Sequence, residues 1–233
     1  MGGDRGMRNN GSRRSDGLSL SFLFLLILPF YLNDFAGIYI DDWRVWLTID
    51  YLGVKLLPLA LVLWLVRSGR VSFRDLGLIR QGPVAMVAVF LLLTLVGTMI
   101  DQNGYRLLEG VPGYAPLGGM PPITSPAWDW IDLTLGLLLV GIVEELVFRG
   151  VMLRFLRSYT QSTLVIVVVS AVVFGLIHWS LGLTAVLVTT AIGAVFMMAY
   201  IRTGSLLPIM LAHFAVNFID FAGVVPKSLF QFV

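Results

Sequence analysis

Two adjacent carboxylates, Glu144 and Glu145, stand inside the apolar run Gly-Ile-Val-Glu-Glu-Leu-Val-Phe-Arg-Gly, with Arg149 four residues after the second of them. The chain has only two histidines: His178 closes Phe-Gly-Leu-Ile-His, and His213 opens His-Phe-Ala-Val-Asn, which ends at Asn217. Carboxylate, imidazole and amide together suit amide hydrolysis, which needs an activated water and a stabilised oxyanion. Glu144 with His178 can hold and deprotonate a water. His213 and Asn217, one helical turn apart, offer two donors that can converge on a tetrahedral oxyanion. With Asp220 they form an i, i+4, i+7 stripe on one helix face, and Asp220 is expected to orient His213.

These groups are costly where they stand. An ionisable side chain at the centre of a membrane helix costs roughly 2.5–3.5 kcal/mol, so the glutamate pair costs about 5–7 kcal/mol before compensation. Arg149 can pair with Glu145 across one turn. Glu144, about 100° further round the helix, then points elsewhere.

The elements that position these groups must lie in lipid. The 233 residues are 58% hydrophobic and 13% charged, with a mean hydropathy of +0.88, against about 45–50% apolar and 25% charged in soluble domains. The sequence has no cysteine, which excludes disulfide frameworks, thiolate metal sites and cysteine nucleophiles. A spanning helix needs about 20 apolar residues, and seven stretches qualify: 18–38, 45–66, 83–100, 130–148, 163–179, 183–201 and 206–224. The expected fold class is all-α, a polytopic transmembrane bundle of about seven spans with its site inside. It divides into a basic cytoplasmic arm (1–17), three helices with an outer loop (18–129), a catalytic core (130–224) and a short tail (225–233).

Lys and Arg collect on the cytoplasmic side of short loops. An inside N-terminus places Arg5, Arg8, Arg13, Arg14, Arg67, Arg70, Arg74, Arg80, Arg149, Arg154, Arg157 and Arg202 inside, twelve of the sixteen cations. Arg44, Arg106 and Lys227 fall outside, and Lys55 falls within a span. The six tryptophans, Trp43, Trp46, Trp64, Trp128, Trp130 and Trp179, fall near span ends, where interfacial rings belong. The localisation expected is a multi-pass protein of the bacterial cytoplasmic membrane, with the first span a retained anchor.

Glu144 and His178 lie equally far from residue 161, about 25 Å each at 1.5 Å per residue. They are level only if the fourth helix continues past Arg149 and the hairpin tip projects into the cytoplasm.

Glu-Glu-x-x-x-Arg, Phe-x-x-x-His and His-x-x-x-Asn, in that order, resemble the CPBP intramembrane proteases, which include the CAAX-type prenyl-protein endopeptidases and bacteriocin-processing or self-immunity proteins. The resemblance spans roughly residues 130–224. It implies that Glu144 and His178 activate water and that His213 and Asn217 form the oxyanion site. Glu145 joins this catalytic set on a supporting basis, with Arg149 beside it fixing the helix and its charge. The implied substrate is a peptide or protein with a membrane-associated tail, reached from the cytoplasmic half: a prenylated tail, a pheromone or bacteriocin precursor, or a C-terminal sorting helix. No nucleic acid is expected as a partner.

The expected mechanism needs no metal. The alternative is zinc held by Glu144, His178 and His213, since such a trio makes a three-ligand catalytic site. His-Glu-x-x-His, Gly-x-Ser-Gly and Gly-x-Gly-Asp are all absent, which removes the commoner zinc, serine and aspartyl patterns. Blander readings stand beside these. A Glu-Glu-Arg cluster can be a structural ion-pair knot, and a histidine in a span can be a helix-packing group. A proton-coupled carrier or a non-catalytic immunity protein would retain similar residues. Asp50 is read as snorkelling outward and Lys55 as a packing or pairing residue. Thr189 to Ala194, rich in small residues, reads as a close helix contact.

Overall fold

A computed structural model describes residues 18–232. The expected basic arm, 1–17, lies outside the described residues, as does Val233. The described residues form seven helices and no strand: α1 (Leu20–Tyr39), α2 (Trp43–Arg67), α3 (Pro83–Leu107), α4 (126–157), α5 (Thr163–Leu176), α6 (Leu183–Thr203) and α7 (Leu207–Phe221). The protein is an all-helical membrane bundle, and α1, α2, α3 and α6 are each long and apolar enough to cross a membrane.

Helix α4 runs unbroken past Arg149 to Arg157, the long form on which an equal depth of Glu144 and His178 depends. It changes pitch twice, through π-helical turns at Asp132–Gly136 and Leu146–Val151. Helix α2 has a similar stretch at Asp50–Leu56, directly before Pro58. Proline lacks the N–H that would bond back to Val54, and its ring crowds that carbonyl, so the helix widens there. A wider turn also brings residues five apart together. Asp50 and Lys55 are therefore buried as an ion pair, which corrects the expectation that Asp50 snorkels outward.

Helices α5 and α7 have 14 and 15 residues, about 21–22 Å of rise against roughly 30 Å of hydrocarbon. Past α5, the chain at 177–182 leaves the helix while still lodged in protein. There the Ser180 N–H donates to Asp34 (2.7 Å) and the Trp179 indole donates to the Tyr31 carbonyl (3.2 Å). Irregular backbone within a membrane protein needs such internal partners. Helices α5 and α6 approach closely, because a Cβ on Gly193 would stand 2.9 Å from the Phe174 ring and one on Gly175 would stand 2.6 Å from the Val186 carbonyl. The small-residue stretch on α6 is thus a helix contact, as read.

Cross-links between loops define the two ends of the bundle. At one end the α2–α3 loop meets the α6–α7 turn: Leu206 N–H donates to Gly77 (2.8 Å), the Gln81 amide to Thr203 (2.9 Å) and the Ser205 hydroxyl to Ile79 (3.0 Å). Arg154 at the end of α4 reaches Asp75 of the same loop at 3.9 Å. The exposed Asp75 carboxyl also accepts from the N–H and hydroxyl of Ser72, and these bonds hold it below the usual carboxylate range. At the other end the long loop 108–125 lies across α1, α2 and the α5–α6 connection. Gly119 N–H donates to Gly37 (3.1 Å), Leu117 N–H to Ser180 (2.7 Å), Leu183 N–H to Tyr114 (3.1 Å), and the Trp43 indole to Thr124 (3.0 Å). Loop and helix meet so closely that a Cβ on Gly118 would lie 2.6 Å from the Gly37 carbonyl. This roof buries Trp43 and Trp46 with Ala36 and Leu47, so those two tryptophans are core residues and not interfacial ones.

Candidate active site

Helix α7 brings His213 against α4 at the paired glutamates. The approach depends on Gly141, where a Cβ would stand 2.9 Å from the Met210 carbonyl. Three residues on, His213 sits between the carboxylates: Nδ1 lies 2.8 Å from Glu145 Oε1, and Nε2 lies 3.7 Å from Glu144 Oε2. All three are buried, Glu145 completely.

Arg149 completes this knot as a fully buried guanidinium. It pairs with Glu145 at 3.1 Å across one turn and lies over the Phe174 ring at 4.1 Å, with Phe196 at 5.7 Å. Its nitrogens lack aligned hydrogen-bond partners among the described residues, so Coulomb attraction and the two ring faces hold it. Its burial takes Arg149 out of the group of loop arginines that set orientation.

The remaining site residues share one cavity of about 460 Å³ with Glu144 and His213. His178 enters it from the break after α5, and its Nδ1 faces the Phe174 carbonyl at 3.3 Å. If Nδ1 donates there, Nε2 is left as an acceptor. Asn217 enters one turn beyond His213, with no hydrogen bond to its amide among the described residues. Glu144 and His178 face the same space without a direct hydrogen bond. Glu145 does not line the cavity; its side chain contacts His213 and Arg149.

Asp220 also lines the cavity but does not orient His213. Its carboxylate accepts from the Gln102 amide (3.1 Å) and pairs with Lys227 (2.6 Å). At i+7 it lies two turns away, whereas Glu145 meets His213 directly from α4.

Sequence reasoning missed part of the lining. The Asp50–Lys55 pair enters from α2, Asp132 from the first π-helical turn of α4, Asp34 from α1 and Asp101 from α3. Their signal was present as acidic or basic residues inside or beside apolar runs. A helix of regular pitch separates Asp50 from Lys55, however, and nothing local ties any of the four to the motifs.

Within the trio considered for zinc, His213 Nε2 and Glu144 Oε2 stand 3.7 Å apart, His213 Nδ1 is engaged by Glu145, and His178 Nδ1 faces a backbone carbonyl. Among the described residues no group of three or more His, Asp or Glu side chains is gathered to hold a metal ion.

Residues 126–219 match the family model described as type II CAAX prenyl endopeptidase Rce1-like. The matched segment runs from the start of α4 nearly to the end of α7 and contains Glu144, Glu145, Arg149, His178, His213 and Asn217. No curated protein and no solved structure gives a match.

Proposed function

We propose, from the match of residues 126–219 to the type II CAAX prenyl endopeptidase Rce1-like model, that the chain hydrolyses a peptide bond at the cavity where Glu144, His178, His213 and Asn217 meet. The observation that carries this reading is their convergence, from two helices and one helix end, on a single cavity.

A water in the cavity gives a proton to Glu144 as its oxygen attacks the scissile carbonyl carbon. His178 Nε2, free to accept while Nδ1–H faces Phe174, holds the second hydrogen of that water. The carbonyl oxygen becomes an oxyanion, which takes the Asn217 amide N–H and His213 Nε2–H. Glu145 holds the His213 ring through Nδ1 and is itself paired with Arg149, which offsets the cost of burying that carboxylate. Collapse of the tetrahedral intermediate breaks the C–N bond, and the proton on Glu144 passes to the leaving amine.

Purified protein in nanodiscs, given a quenched membrane-tethered peptide, tests the reading. Asn217→Ala is expected to lower kcat by about 10²–10³-fold, with KM little changed, because the amide acts on charge that forms only in the transition state. Unchanged kcat in a folded Asn217→Ala protein contradicts its role. Activity is also expected to survive exhaustive chelation. Activity lost on chelation and restored by zinc alone would contradict the metal-free mechanism.

A further inference from the structure

The cavity runs from the glutamates toward one end of the bundle only. Its rim is formed by Asp34 and Gly37 of α1, Gly119 and Met120 of the long loop, Leu181 of the α5–α6 connection and Phe221 at the end of α7. All of these belong to the end where loop 108–125 lies across the helices. Toward the opposite end the space below the glutamates is filled. Val147, Phe148 and Val151 of α4, Phe196 of α6, and Leu206 and Ile209 before and within α7 have almost no exposed surface.

The filled end is also the arginine end. Arg67, Arg70, Arg74, Arg80, Arg154, Arg157 and Arg202 lie in or beside its loops, while the roofed end carries Arg44, Arg106 and Lys227. Arg149 and Lys55 are buried and take no part in this balance. Short loops rich in Arg and Lys stay on the cytoplasmic side, so the rim of the cavity faces away from the cytoplasm.

We infer that the site takes its substrate from the outer face of the membrane, under the loop of residues 108–125, and cuts exported proteins next to a membrane-anchored segment. This rests on the reading of the cavity as the reaction centre. It reverses the expectation of access from the cytoplasmic half. A tail anchored in the cytoplasmic leaflet approaches the filled end, with close-packed side chains between it and Glu144. A tail emerging on the outer face meets the rim, where loop 108–125 is held to Gly37 and Ser180 by two backbone hydrogen bonds.

The chain has no cysteine, so single-cysteine variants of the full chain report position without background. Met120→Cys and Leu181→Cys mark the rim, 51% and 38% exposed, and Tyr159→Cys marks the arginine end, 71% exposed. A membrane-impermeant maleimide applied to intact cells is expected to label both rim variants, and to label Tyr159→Cys only after permeabilisation. Labelling of Tyr159→Cys in intact cells, with both rim variants protected until permeabilisation, overturns the inference. A deeper reporter, Val140→Cys in the cavity wall, is expected to react with a small charged thiosulfonate added outside. Reaction only from the cytoplasmic side overturns the inference equally. Labelling needs no turnover, so a failed cleavage assay with outward labelling refutes the protease reading alone, and cleavage with inward labelling refutes the access route alone.

Discussion

Glu144→Gln is expected to lower kcat for cleavage of a membrane-tethered peptide by about 10²–10⁴-fold, the usual contribution of a positioned general base. The substitution preserves shape and removes the one carboxylate that both lines the cavity and lies beside His213. Glu144 Oε2 is buried without a hydrogen-bond partner among the described residues, so the amide breaks no existing bond and folding should survive. The measurement is kcat and KM in nanodiscs, with thermal unfolding of the same preparation. A folded Glu144→Gln protein that retains near wild-type kcat contradicts the assignment of the base.

Arg149→Met is expected to act on stability, at about 3–5 kcal/mol, the range for removing one partner of a buried ion pair. Arg149 and Glu145 have no exposed surface, and their separation is 3.1 Å. Without the guanidinium, Glu145 retains only His213 for charge compensation. Methionine refills the volume against Phe174 and Phe196, which isolates the electrostatic loss from a cavity. The double variant Glu145→Gln, Arg149→Met removes both charges and is expected to recover much of the stability. Unfolding in detergent, followed by denaturant titration, measures both. A single variant as stable as the wild type, or a double variant no better than the single, contradicts the ion-pair account.

The residues of the site were legible because lipid makes charge expensive. Against an apolar background Glu144, Glu145, His178, His213 and Asn217 stood out, and their order carried the family resemblance. The depth of His178 followed from counting residues to the hairpin tip, and the uninterrupted α4 satisfies it. Partnerships between helices were not legible. Glu145 and Asp220 both offered His213 a carboxylate, and one lay on its own helix. The choice depended on how closely α7 approaches α4, which Gly141 permits, and nothing in the spacing within α7 reports it. The same limit hid the Asp50–Lys55 pair, because a regular helix parts residues five apart and only the widened turn before Pro58 joins them. Arg149 shows the converse: counted by sequence among loop cations, it is the largest side chain with no exposed surface. Access to the cavity was invisible for a related reason, since it depends on where loop 108–125 lies.

In the proposed reaction, water in this cavity attacks the peptide carbonyl directly, with Glu144 as base. A single turnover in isotopically heavy water, with enzyme in excess over a tail peptide, tests it most directly by mass spectrometry of both product and protein. The account predicts one heavy oxygen in the new C-terminal carboxylate of the peptide and none in the protein. Heavy oxygen incorporated at Glu144, or a product carboxylate without the label, would contradict it by showing that the carboxylate attacks as a nucleophile.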